Sequence, residues 1–95
     1  MLTTRQCDML CRYAMSIGFT IRSRDATNNG SIVFGINQPA FNVVATFFNM
    51  QAMRPVISTS TQVRGVLNIN QTAAYRDALS QVVKLNTRLQ KMIEV

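Results

Sequence analysis

The central third of the chain, residues 26 to 53, contains no charged residue. Within it Pro39 to Met53 is dominated by Ala40, Phe41, Val43, Val44, Ala45, Phe47, Phe48, Met50, Ala52 and Met53. Asn42, Thr46 and Asn49 interrupt the apolar run at 4-then-3 spacing, the spacing of one narrow stripe on a helix. This pattern predicts a central helix that is apolar around most of its circumference. Such a helix needs cover on nearly every side, and a short chain has little interior to provide it. The expectation is burial at the heart of the domain, completed by a partner or a second copy.

The flanking segments show clearer periods. Thr3 or Thr4 caps a helix to about Ser16, with Cys7, Leu10, Cys11, Ala14 and Met15 at helical spacing. Thr3 and Gln6 have capping-box spacing, and Gly18 provides the stop. Phe19 to Arg24 alternates as a strand, with Phe19, Ile21 and Ser23 on one face and Thr20, Arg22 and Arg24 on the other. Asn29-Gly30 marks a hairpin turn. Ser31 to Ile36 returns as a second strand with Ile32, Phe34 and Ile36 inward. Asn37 or Gln38 then caps the central helix, Pro39 occupies its first turn, and Arg54-Pro55 ends it.

Val56 to Asn70 is rich in β-branched residues and reads either as one long strand or as a hairpin turning near Thr61-Gln62. A final helix starts at Gln71 or Thr72 and runs to about Met92. Tyr75, Leu79, Val82, Asn86, Leu89 and Ile93 recur at 4-3-4-3-4 spacing, close to a heptad. That stripe either covers the sheet or also pairs with a symmetry mate, in which case Asn86 fixes the register. Lys84, Arg88 and Lys91 lie near its C-terminal end, where cations favour the helix dipole. The predicted order is α-β-β-α-β-α. The fold class is therefore a small single-domain α+β protein over residues 1–95, with an antiparallel sheet packed against helices and a long C-terminal helix.

Composition narrows the function more than it names it. The chain has 95 residues, 47% of them hydrophobic, which suits one globular domain. No apolar run approaches the roughly 18 residues of a membrane span, and no signal peptide is expected. Eight Arg and two Lys stand against Asp8, Asp25, Asp77 and Glu94, for a net charge of +6. An Arg-heavy excess favours an anionic partner, nucleic acid or nucleotide, although the same charge also serves solubility or a protein partner. Arg22, Arg24 and Arg64 on an outer sheet face, together with Arg12, are the candidate anion-binding residues. That face lacks aromatic residues, which disfavours base stacking on the sheet.

Candidate chemistry is sparse. There is no histidine, so Ser-His and Cys-His pairs are excluded, and no phosphate-binding glycine loop is present. Two cysteines without histidine do not make a zinc site, and Cys7 and Cys11, four apart on a helix, make a poor disulfide. They read as small buried apolar residues in a reducing, cytoplasmic setting. No catalytic residue, metal or cofactor is expected.

Leu2-Thr3-Thr4-Arg5-Gln6, followed by Met9-Leu10, Ala14 and Gly18, resembles the first helix of some helix-turn-helix or winged-helix regulators. That likeness implies two further helices directly afterwards, where Phe19 to Ile36 reads as a hairpin. The leading expectation is a non-enzymatic, homo-oligomeric binding protein, a dimer or higher. Phe47, Phe48, Tyr75, Leu79, Val82, Asn86 and Leu89 would form its interior and subunit contact. The alternatives are a protein-protein module, such as a viral or mobile-element inhibitor of a host protein, and a structural assembly subunit.

Overall fold

The computed structural model describes residues 1–25, 30–49 and 54–93. The element order is α1 (Thr4–Ser16), β1 (Thr20–Arg24), β2 (Ser31–Gln38), β3 (Phe41–Phe48), β4 (Val56–Val63) and α2 (Ile69–Ile93). The strands form a four-stranded antiparallel meander in the order β1-β2-β3-β4. Both helices pack on one face of it, α1 against β1 and α2 against β3, β4 and α1. The α+β class, the antiparallel sheet against helices and the long C-terminal helix are as the sequence pattern predicts.

The predicted central helix is a strand instead. Gln38 pairs with Phe41 across a two-residue turn of Pro39 and Ala40, so the first part of the supposed helix is β3. Phe41, Val43, Ala45 and Phe47 are buried towards the helices, and Asn42, Val44, Thr46 and Phe48 alternate on the other face. The physical reason for the misreading is a coincidence of periods. Residues four apart share a face on a strand as well as on a helix, so Asn42 and Thr46 fit both. The β-branched and aromatic content of this segment favours the strand. Met50, Ala52 and Met53 of the predicted helix, and Asn29 of the predicted turn, lie outside the described residues.

Asn49, the third member of the polar stripe, has a different task. It is buried just after β3, where its Oδ1 accepts from the Leu2 N–H at 2.7 Å. Its Nδ2 donates to the Leu2 carbonyl at 3.0 Å and to Cys7 Sγ at 3.7 Å. The side chain thus mimics a strand partner for Leu2 and ties the N-terminus to the sheet. Asn49→Leu leaves both Leu2 backbone groups unpaired in a buried place. We expect a loss of about 2 kcal/mol, read as a lower urea midpoint at unchanged slope.

The helix ends follow from local chemistry. Thr3 caps α1, its Oγ1 accepting from Gln6 N–H at 3.1 Å while Gln6 Oε1 accepts from Thr3 N–H at 2.9 Å. Gly18 ends the turn at φ +106°, a conformation costly for residues with a Cβ. α2 begins at Ile69, two to three residues earlier than predicted, because Asn68 caps it. Asn68 Oδ1 accepts from Gln71 N–H at 2.8 Å, and Gln71 Oε1 accepts from Asn68 N–H at 2.9 Å. Residues 56–70 therefore contain one strand, a loop and the start of α2, which resolves the one-strand-or-hairpin alternative.

The core joins Leu10 and Ala14 of α1 to Phe34, Phe41, Val43 and Phe47 of the sheet and Leu85 and Leu89 of α2. Two edge-to-face ring pairs, Phe19–Phe34 and Phe41–Tyr75, link its layers. Among the described residues, no helix packs on the opposite sheet face.

Candidate functional site

The four arginines proposed as one anion site do not converge. β1 pairs Ile21 with Phe34 and Ser23 with Val33, so Arg22 is an extra residue in a bulge. The bulge shifts the alternation by one, placing Arg24 opposite Ile32 on the helix-covered face rather than beside Thr20 on the outer one. There Arg24 Nη1 meets Asp8 Oδ1 of α1 at 2.7 Å and approaches Cys11 Sγ at 4.0 Å. The bond to Asp8 raises the Arg24 pKa above its ordinary value. The pair is partly solvated, so its contribution to stability is below about 1 kcal/mol.

Arg22 lies across the outer face over Gly35. A Cβ built on Gly35 would sit 2.6 Å from Arg22 Cδ, so the glycine makes room for the arginine stem. Arg64 follows β4 and donates from Nη1 to the carbonyls of Gln38 at 2.9 Å and Pro39 at 3.0 Å, bracing the β2–β3 turn. Arg12 is exposed on α1. Two of the four are therefore engaged in holding the fold.

A different group of cations does converge. Lys84, Arg88 and Lys91 recur at 4-then-3 spacing and share one side of α2, next to α1. The Arg88 guanidinium stands 5.1 Å from the centre of the Tyr13 ring of α1, a cation–π contact. Tyr13, Val83, Lys84, Thr87, Arg88 and Lys91 line a shallow cleft of about 180 Å³ with no acidic residue in its lining. The cations point outward because the opposite side of α2 supplies Ala78, Val82, Leu85 and Leu89 to the core. The sequence pattern places these three cations near the C-terminal end of the helix and gives no sign of their meeting with Tyr13. The 84-88-91 spacing was the available signal.

The residues expected at a subunit contact divide sharply. Phe47, Val82 and Leu89 are buried in the chain's own core. Tyr75 and Leu79 are half-buried against it. Phe48 is exposed on the outer sheet face and Asn86 on α2.

Cys7 and Cys11 are free and buried. Burial pushes both thiols above their ordinary pKa of 9.0, only partly opposed by Arg24, so they are neutral at physiological pH. A raised folded pKa has a definite consequence for stability. The stability is full below the ordinary thiol pKa and declines as pH climbs from there towards the folded value. Urea midpoints measured at about pH 8 and about pH 10 should show this decline. The difference should shrink in Cys7→Ala with Cys11→Ala, which removes the two groups.

Among the described residues no group of three His, Cys, Asp or Glu is placed to hold a metal ion. No described helix is long and apolar enough to cross a membrane. Comparison with known proteins returns no matching family model, no matching curated protein and no matching solved structure.

Proposed function

We propose that this chain is a non-enzymatic binding protein for a phosphate-bearing partner, with single-stranded nucleic acid as the class its cleft suits best. One observation carries the reading: Lys84, Arg88 and Lys91 surround a cleft beside Tyr13, with no acid in its lining. Cations in that number meet successive phosphates, and Tyr13 supplies an aromatic face directly beside them. Arg88 already rests against that ring, so an incoming base replaces it or stacks beside it while the guanidinium turns to a phosphate. The cleft is shallow and open, which fits a flexible strand better than an enclosed small molecule. The two free, buried thiols accord with a reducing compartment such as the cytoplasm.

Fluorescence anisotropy with labelled single-stranded oligonucleotides tests it. The expected result is binding that strengthens with oligonucleotide length and weakens steeply with salt, each phosphate contact adding about −0.7 to the log–log slope. Affinity that ignores salt, or equals that of a mononucleotide, removes the reading.

A further inference from the structure

The two edges of the sheet are built differently. β1 is short, bulged and carries Arg22 and Arg24, devices that discourage a further strand. β4 is eight residues long, pairs with β3 without a bulge, and contains no charge and no proline between Val56 and Val63. We infer that β4 pairs antiparallel with β4 of a second copy across a two-fold axis at Ser60, joining two four-stranded sheets into one.

The hydrogen-bond phase of the sheet selects the register. The Arg64 N–H donates to the Ala40 carbonyl at 2.8 Å, which makes Arg64 and Ala40 a hydrogen-bonded pair. Alternation along the ladder then bonds Val56, Ser58, Ser60 and Gln62 to β3. Ile57, Thr59, Thr61 and Val63 accordingly turn their N–H and C=O groups to the open edge. A two-fold axis perpendicular to the sheet brings residues of the same face opposite one another. Centred on Ser60, it sets Ile57 against Val63 of the second copy and Thr59 against Thr61. All four outward residues of each copy are then satisfied, with about eight new backbone hydrogen bonds. Sliding the axis to Thr59 brings Pro55, which has no N–H, opposite Val63 and loses donors at the ends.

Side chains agree with this register. Ile57 faces Val63, which is 42% exposed in the single chain, and the β-branched Thr59 and Thr61 face each other. Charge favours a second copy at this edge over other edges. The chain is basic overall, and β4 is a strand along which two copies approach without setting like charges opposite one another.

The helices fit as well. α2 lies against both β3 and β4, so its symmetry mate lies about two strand spacings away, or about 10 Å. That is the interaxial distance of packed helices. Arg54 Nη2 donates to Gln90 Oε1 at 2.7 Å, so the side of α2 that bears Gln90 overlooks the start of β4. Leu79, Val83 and Asn86 share that side at 4-3-4 spacing with Gln90, and Val83 is 65% exposed. Val83 also forms one edge of the cation cleft, but Tyr13, Lys84, Arg88 and Lys91 lie towards α1 and stay open in the pair, so this inference does not depend on the binding function.

A cysteine scan on the full chain tests both the dimer and its register. Ser60 faces Ser60 of the second copy at a non-hydrogen-bonded position, where Cα atoms are about 4.5 Å apart, within disulfide range. Under mild oxidation Ser60→Cys should give a covalent dimer in high yield, and Ser58→Cys, which faces Gln62, should not. Thr61→Pro removes an outward N–H without touching the ladder to β3. It should convert the dimer to a monomer that keeps the wild-type circular dichroism spectrum. A wild-type mass of one chain across the accessible concentration range overturns the inference. So does a dimer that Thr61→Pro leaves intact, or one that cross-links through Ser58→Cys and not Ser60→Cys.

Discussion

Phe47→Asp should leave the chain unfolded in water at 25 °C. Phe47 has no exposed surface, and its register partners Ile32 and Ile57 flank it within the same inner layer. Removing the ring alone costs about 3–5 kcal/mol, as large-to-small core changes do. Placing a carboxylate between the buried Ile32 and the half-buried Ile57 adds several more, since an unpaired buried charge is poorly solvated. Together these match or exceed the ~5–15 kcal/mol that holds a small domain folded. Phe47→Leu, which keeps most of the volume, should cost only about 1–2 kcal/mol and remain folded. The informative comparison is the next residue. Phe48 is 41% exposed on the outer sheet face, so Phe48→Asp should fold with a melting temperature within a few degrees of wild type. Circular dichroism and thermal melts on the three variants decide the matter. A folded Phe47→Asp, or a Phe48→Asp that collapses equally, is incompatible with the strand alternation of β3.

That comparison also shows what the sequence could and could not disclose. A helix over 39–53 and a strand over 41–48 predict the same burial for Phe41, Val43 and Ala45. They part at adjacent residues, Phe47 against Phe48, where a strand changes face and a wide apolar helix face does not. α1 and α2 were legible because their apolar positions exclude a period of two and because Thr3-Gln6 states a cap. The hairpin of β1 and β2 was legible for the converse reason. The one-residue bulge at Arg22 was not, since a bulge is set by pairing to a neighbour and leaves no mark on the strand's own alternation. It is enough to move Arg24 to the other face and dissolve the predicted arginine patch. The cleft of Tyr13 and the α2 cations escaped for a similar reason. Tyr13 and Arg88 are far apart in sequence, and only the packing of α1 against α2 brings them together.

Lys84→Gln, Arg88→Gln and Lys91→Gln combined should all but abolish binding to single-stranded nucleic acid while sparing the fold. All three side chains are on the exposed side of α2, and glutamine is nearly as good a helix former as lysine or arginine. Stability should therefore change by less than about 1 kcal/mol. Three phosphate contacts account for about 2 units of the log–log salt slope. Relative to a 1 M reference, where the electrostatic contribution is small, that slope corresponds to about a hundredfold in affinity at 0.1 M salt. The triple variant should lose that factor at low salt and converge with the wild type at high salt. Tyr13→Leu gives the complementary signature: a salt slope unchanged and an affinity lower by about 1–3 kcal/mol, the contribution of one stacked base. Phosphate contact and stacking are thereby separated in a single titration series. Arg12→Gln with Arg22→Gln, two cations outside the cleft, provides the control. If that pair lowers the slope as much as the triple variant does, binding follows the net charge of the whole molecule and not the cleft. If only the triple variant lowers it, the site lies where α1 and α2 meet.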